Sequence, residues 1–255
     1  LVNLTGSDYE YASGGGTYRY SYVSKLNNTG QAIGTSNRYT IAGASAGNDA
    51  WIRNAGVTSL INPTGADYQY TSGGITTRTG FSQDMNDSGQ VVGFSRRYGA
   101  DGSDLGEAAW FYEAQTHVTT PLIFSLRSDN YTFSEPEVLT AQGAVLGEYM
   151  LYSGSTTVGT RAFVWTETDG FSDLGSLVRG GLTAAQWQSL AEGFAAAGSR
   201  GGGYPMYIAG YGQGVGDAGV GTVFLLTPEP TSLASILLLA GALLRRSRRK
   251  VPIRA

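Results

Sequence analysis

The chain repeats itself. Leu1–Gly56 aligns without a gap over Leu60–Gln115, a period of 59 residues, and 24 of the 56 positions are identical. Such self-similarity constrains the fold more than any local propensity, because each copy must bury its apolar surface against its neighbours. Asn3-Leu4-Thr5-Gly6-Ser7-Asp8-Tyr9 returns as Asn62-Pro63-Thr64-Gly65-Ala66-Asp67-Tyr68, and Asn27-Asn28-Thr29-Gly30-Gln31-Ala32-Ile33-Gly34 as Asn86-Asp87-Ser88-Gly89-Gln90-Val91-Val92-Gly93. Ala50-Trp51 returns as Ala109-Trp110. A weaker third copy holds Ala141-Gln142-Gly143-Ala144-Val145-Leu146-Gly147, Ala162-Phe163-Val164-Trp165 and Asp173-Leu174-Gly175. A fourth runs from Leu177 to Leu226.

Within a copy the chemistry is that of strands and tight turns. Stretches such as Asn86-Asp87-Ser88-Gly89 supply a positive-φ turn. Aromatic and β-branched residues in Tyr18–Val23, Ile33–Tyr39, Ala50–Arg53 and Val57–Ile61 predict about four short strands per copy. The expected fold is all-β, a β-propeller-like array of ~59-residue four-stranded repeats over 1–59, 60–118, 119–176 and 177–227. Gly34 and Gly93 fall in mid-strand, where glycine marks a bulge or a close backbone approach. One soluble helix is predicted near 184–197: Thr183 and Gln186 form a capping box, while Trp187, Leu190, Ala191 and Phe194 share a helical face.

Residues 228–255 read differently. Pro228-Glu229-Pro230 precedes an uncharged run, Leu233–Leu244, followed by Arg245-Arg246-Ser247-Arg248-Arg249-Lys250. Pro230 suits the first turn of a helix, and the Leu, Ala and Ile content favours helix. A hydrophobic helix over about 230–244 is short, about 22 Å against a hydrocarbon core of roughly 30 Å. The run is apolar on every face, and the arginines behind it suit snorkelling to headgroups on the cytoplasmic side. The predicted element is a membrane-sorting transmembrane helix. Six of the 17 basic residues follow it, so the preceding part has eleven basic against 20 acidic residues, a net charge of −9. An acidic body speaks against nucleic acid as a partner, which needs a basic footprint.

No catalytic set is expected. Gly43-Ala44-Ser45-Ala46-Gly47 spells a nucleophile elbow, but that motif needs a following helix, an acid and a histidine. Asp104 stands where Ser45 would recur, and the sole histidine, His117, has Thr58 as its counterpart. Gly214-Val215-Gly216-Asp217-Ala218-Gly219 precedes a strand pattern rather than the helix a dinucleotide site requires. Asp84-Met85-Asn86-Asp87-Ser88-Gly89 opens like a calcium loop, yet its position twelve is Ser95 and the first copy begins it with Lys25. That favours a plain turn, with Asp101 and Asp104 leaving a loop-level calcium option. Asn27, Asn86 and Asn130 open glycosylation triplets, the first two at the same turn. Tyr9, Tyr11, Tyr68 and Tyr70 suit either packing or stacking on sugar rings. No cysteine is present, so no disulfide contributes.

The ordered tail of Pro-Glu-Pro, apolar run and basic end resembles the PEP-CTERM signal of exported bacterial proteins. That resemblance implies an exosortase-type membrane sorting enzyme as partner. It makes Pro228, Glu229, Pro230, Arg245, Arg246, Arg248 and Arg249 the sorting motif. The Asn-x-x-Gly-Gln-hydrophobic-hydrophobic-Gly segments, the later Ala-aromatic pairs and Asp-Leu-Gly resemble HAF-type extracellular repeats. The histidine that names that family is replaced here by Asp49, Ala108 and Arg161. Together the resemblances imply a non-enzymatic, exported protein without cofactor or metal. It would pass through an inner-membrane-anchored intermediate to the cell surface or extracellular matrix. A binding module for extracellular polysaccharide is the alternative. A chain starting at Leu1 without a charged leader leads to the further expectation that a signal peptide and more repeats precede it.

Overall fold

A computed structural model describes residues 3–185, 187–197, 207–215 and 222–227, and it is mostly β-sheet. A hairpin of β1 (Tyr11–Ser13) and β2 (Gly16–Tyr18) leads into a first antiparallel leaf of β3 (Ser21–Leu26), β4 (Ala32–Tyr39), β5 (Ser45–Asn54) and β6 (Val57–Leu60). The second leaf comprises β7 (Gln69–Ser72), β8 (Ile75–Met85), β9 (Val91–Tyr98), β10 (Asp104–Glu113) and β11 (Val118–Leu122). The third comprises β12 (Thr132–Leu139), β13 (Val145–Ser153), β14 (Thr156–Thr166) and β15 (Gly170–Asp173). After a 3-10 turn at Leu174–Leu177 and the one-turn helix α1 (Gly181–Ala184), a fourth leaf forms from β16 (Trp187–Ala197), β17 (Tyr207–Gly214) and β18 (Thr222–Leu226).

One five-residue turn builds five of the hairpins. In Asn27–Gln31, Thr40–Ala44, Asn86–Gln90, Gly99–Ser103 and Thr140–Ala144 the first N–H donates to the fifth carbonyl, and the fourth N–H to the first carbonyl. The fourth residue is always glycine at φ between +81° and +84°, the left-handed position that a three-residue hairpin loop with a bulge demands. Asn130 takes that place in Arg127–Tyr131 at φ +66°.

Glycine has a second task in the middle of the sheets. Gly34 lies opposite Trp51, Gly93 opposite Trp110, Gly147 opposite Phe163 and Gly210 opposite Phe224. A Cβ on any of them would come within 1.9–2.1 Å of a carbonyl oxygen on the adjoining strand: Tyr22, Phe81, Glu135 and Glu192, respectively. In three of the four it would also enter the partner ring, at 2.3–2.4 Å. The first two pairs have identical register 59 residues apart. Each adjoining strand carries a register shift near the contact, the local bulge that lets a carbonyl approach this closely.

The leaves stack face to face, and alternate residues of each strand feed opposite interfaces. Ile33, Ala50, Ile52 and Ile61 of the first leaf meet Met85, Val91, Trp110 and Tyr112 of the second. Val92, Ala109, Phe111 and Leu122 on the second leaf's other face meet Leu139, Val145, Tyr149 and Phe163. Ala144, Leu146, Ala162 and Val164 then meet Leu190, Ile208 and Phe224. Short parallel bridges, Gly47 with Arg78 and Gly106 with Thr132, join the first three leaves into one 13-stranded sheet.

Two expectations change. The all-β class holds, but the described residues form no closed barrel or propeller. The first leaf's outer face carries its own small cluster, Leu4, Ala32 and Trp51 with Tyr9, and shares none with the fourth leaf. The helix expected at 184–197 is strand β16 from Trp187, with only Gly181–Ala184 helical. Its pattern misled for a physical reason. Register shifts after Trp187, Leu190 and Gly193 each insert a residue, so core-facing positions recur every third residue instead of every second. Phe194, which a helix would place beside Leu190, packs instead on Tyr211. The hydrophobic helix near 230–244 lies outside the described residues.

The glycine contact predicts a graded result. Gly93→Ala should cost about 3 kcal/mol, because neither the Phe81 carbonyl nor the Trp110 ring can retreat. Gly56→Ala, at φ +86° with open space around it, should lose only about 1–2 kcal/mol from its left-handed backbone. Urea unfolding midpoints of the two variants measure the difference, and equal losses would refute the steric account.

Candidate functional site

The junction of the first two leaves contains a buried ion cluster. Asp49, on β5, is fully buried. Arg78 donates to it through Nε and Nη2 at 2.5 and 2.6 Å, Arg38 through Nη1 at 3.0 Å, Tyr9 through its hydroxyl at 2.7 Å and Asn62 through Nδ2 at 3.2 Å. Burial alone would raise the Asp49 carboxyl. The Arg78 hydrogen bond and charge, with Tyr9 and Arg38, outweigh it and hold the group below the usual carboxylate range. Burial and the Asp49 charge push the Tyr9 hydroxyl well up. A buried ion pair is sustained only when its remaining hydrogen-bonding positions are filled, and here both carboxylate oxygens are.

Above this rigid floor opens a cleft of about 500 Å³. Arg38 crosses from the floor to its wall, where Nη2 donates to Asp8 at 3.1 Å and to the Thr76 carbonyl at 3.3 Å. The Thr40–Ala44 turn projects Ile41 into solvent, 93 % exposed, and the Gly73-Gly74 hairpin presents Ile75 across from it. Tyr39 closes the inner side. Apolar rims around a fixed carboxylate–guanidinium pair suit a ligand with both apolar faces and hydroxyl groups.

The four tyrosines singled out by sequence do not form this surface. Tyr68 is buried, and Tyr9 is bound to Asp49. Tyr11 stacks on Tyr18 with ring centroids 5.5 Å apart and packs on Tyr39 at 4.8 Å, above Gly43. Tyr70 does the same with Tyr98 at 5.1 Å, above Gly102. They fasten hairpins to turns. Among the described residues, exposed aromatic rings lie elsewhere: Tyr18 on the β1–β2 hairpin, Tyr20 and Tyr22 at the start of the first leaf, Phe171 on the third and Tyr207 and Tyr211 on the last.

The remaining motifs resolve into structure. Ser45 sits on β5, with its hydroxyl accepting from the Gly47 N–H at 3.4 Å, and Gly47 is the bridge to β8. His117 occupies the β10–β11 turn at φ +58°, its Nδ1 bonded to the Tyr112 hydroxyl at 2.7 Å. In the calcium-like loop, Asp84 engages Lys25 and the Leu139 N–H, Asp87 accepts twice from Asn28, and Asn86 Oδ1 accepts from Ser88 and Gln90. Those oxygens are occupied by protein donors. Asp101 and Asp104 accept from Ser103 and Gly106 N–H groups. Among the described residues no group of three or more metal-ligating side chains gathers. The sorting residues Pro228, Glu229, Pro230, Arg245, Arg246, Arg248 and Arg249 lie outside the described residues. Within them no helix is long and apolar enough to cross a membrane.

Sequence reasoning missed a carboxylate cluster. Glu135 on β12 pairs directly with Glu148 on β13, and Glu137 and Glu192 add charge from nearby strands. Burial, then Glu192, Glu135 and Glu137, raises the Glu148 carboxyl to about 7. Glu135 and Glu137 move up as well, chiefly through burial. The signal lay in register, since the bulge between Pro136 and Val138 decides that the two glutamates meet.

No protein-family model, curated protein or solved structure matches the chain.

Glu148 gives a pH prediction. Its unfolded carboxyl titrates near 4.5 and its folded one near 7, so between those values the unfolded chain ionises while the folded one keeps its proton. Stability therefore falls as pH rises from 4.5 to 7 and levels off above. Glu148→Gln should match the native chain below pH 4.5 and melt at a higher temperature above pH 7. Thermal melts across that range test it, and a constant offset at every pH would rule it out.

Proposed function

We propose that this chain is an exported, non-enzymatic repeat protein of the cell surface or extracellular matrix, delivered by its C-terminal segment. The observation that carries this reading is the order at the end of the chain: Pro228-Glu229-Pro230, an uncharged run to Leu244, then Arg245, Arg246, Arg248 and Arg249. In this reading an exosortase-type membrane enzyme receives and processes that segment after a membrane-anchored intermediate. The preceding residues are its cargo, a propeller-like array of ~59-residue repeats. Face-to-face leaves with equal register 59 residues apart support that description of the body. An acidic body with Ser45 and His117 both held in turn and strand contacts supports a structural or binding role over a hydrolytic one. Replacing Pro228–Pro230 with alanines should leave the protein in the membrane fraction, at its unprocessed mass; unchanged delivery to the surface would contradict the sorting role.

The cleft favours a second reading, a module that holds an extracellular polysaccharide. Its support is the exposed pair Ile41 and Ile75 facing the Asp8–Arg38 pair. Ile41→Ser with Ile75→Ser should weaken retention on a polysaccharide column about tenfold, the effect of losing roughly 1.4 kcal/mol of binding. Both side chains are exposed, so the melting temperature should stay within about 2 °C of native, as surface substitutions do. Retention equal to that of the native chain would exclude this cleft.

A further inference from the structure

The buried cluster around Asp49 has an incomplete counterpart one repeat further on. Arg97 occupies on β9 the place that Arg38 occupies on β4, and Tyr68 the place of Tyr9. The surrounding backbone agrees. The Tyr9 and Tyr68 N–H groups donate to the Gly6 and Gly65 carbonyls, and the Tyr39 and Tyr98 N–H groups to the Asp8 and Asp67 carbonyls. Arg38 donates to the Thr76 carbonyl, and Arg97 to the Asn130 carbonyl at 2.8 Å. Asp49 pairs with Ser36 across the strands, and Ala108 pairs with Ser95.

What is missing is the anion. Ala108 stands where Asp49 supplies a carboxylate, and Thr132 meets the bridge glycine Gly106 as Arg78 meets Gly47. Arg97 and Tyr68 remain, 7 % and 6 % exposed. The Tyr68 hydroxyl, whose counterpart donates to Asp49, has no hydrogen-bond partner. The carboxylate closest to Arg97 is that of exposed Asp67, at 3.9 Å. A buried hydroxyl without an acceptor is costly, and this interface has neither a carboxylate at the position of Asp49 nor a second guanidinium at that of Arg78.

We propose that a small monovalent anion, chloride or a short carboxylate such as formate or acetate, binds between the second and third leaves on Arg97 and the Tyr68 hydroxyl. It takes the place that the Asp49 carboxylate fills between the first two leaves. The anion neutralises Arg97 and accepts the phenolic proton, so occupancy stabilises this interface as Asp49 stabilises the other.

Thermal melts of the chain in sodium chloride, formate or acetate, each against sodium gluconate at equal ionic strength, test this. Gluconate serves as the bulky control anion. The native chain should melt about 4 °C higher once the anion exceeds its Kd tenfold, and the melting temperature should keep rising with the logarithm of the anion concentration above Kd. Ala108→Asp should supply the carboxylate from the chain itself, melting higher than native in gluconate and no longer responding to the small anions. Tyr68→Phe, which keeps the ring and removes only the hydroxyl, should fold and respond at least tenfold less tightly. Equal melting temperatures of the native chain in the small anions and in gluconate would overturn the proposal. So would a response that persists unchanged in Tyr68→Phe or in a folded Ala108→Asp variant.

Discussion

The architecture depends on four places where a strand has no side chain. Gly34, Gly93, Gly147 and Gly210 let a carbonyl approach from one neighbouring strand while an aromatic ring pairs from the other. Ring and glycine together keep each leaf thin and dense at its centre, so the next leaf can close on it without a void. A side chain at any of these positions would displace backbone, which has nowhere to go. The weak sequence agreement of the third and fourth copies conceals this contact, which all four leaves share.

Polar contacts then set the order of the stack. At one end Asn27 donates Nδ2 to the Asn86 carbonyl, and Asn86 donates to the Thr140 carbonyl, each asparagine also fastening its own turn through Oδ1. Gln31 lies over Gly89 and Gln90 over Gly143, so the repeated spacing of one turn is explained by the turn that follows it. Near the bridges, Asp49 ties Arg38 and Tyr9 of one leaf to Arg78 of the next. The position held by Asp49, and by Ala108 one repeat on, is therefore an interface position, and its identity decides what charge that interface holds.

Much of the first two leaves was legible from the sequence. The turn spacing, the strands expected at 33–39, 50–53 and 57–61 and the unusual glycines at 34 and 93 fell where local chemistry placed them, whereas the strand expected at 18–23 straddles the end of β2 and the start of β3. The β1–β2 hairpin and β7 were not read, because Gly-rich, hydroxyl-rich stretches carry little apolar alternation. β16 was read as helix because three bulges convert its period from two to three. The cleft was half legible. The tyrosines that drew notice, at 9, 11, 68 and 70, pack inward or against turns instead of lining it, while Ile41 and Ile75 form the exposed rim.

By itself the sequence determined the repeat, its β character, the turn at each Asn-x-x-Gly-Gln and the distinct composition of the last residues. These follow from local rules: glycine at positive φ, β-branched and aromatic residues in strands, charge and apolarity in runs. Only the tertiary structure decided which faces meet, where Asp49 finds its two arginines and that Glu135 lies opposite Glu148. It also decided that Tyr68 and Arg97 keep their places after the carboxylate between them is gone. Those outcomes depend on register and bulges, and a one-residue slip reverses every side chain on a strand. No local pattern carries that information until neighbouring strands are in place.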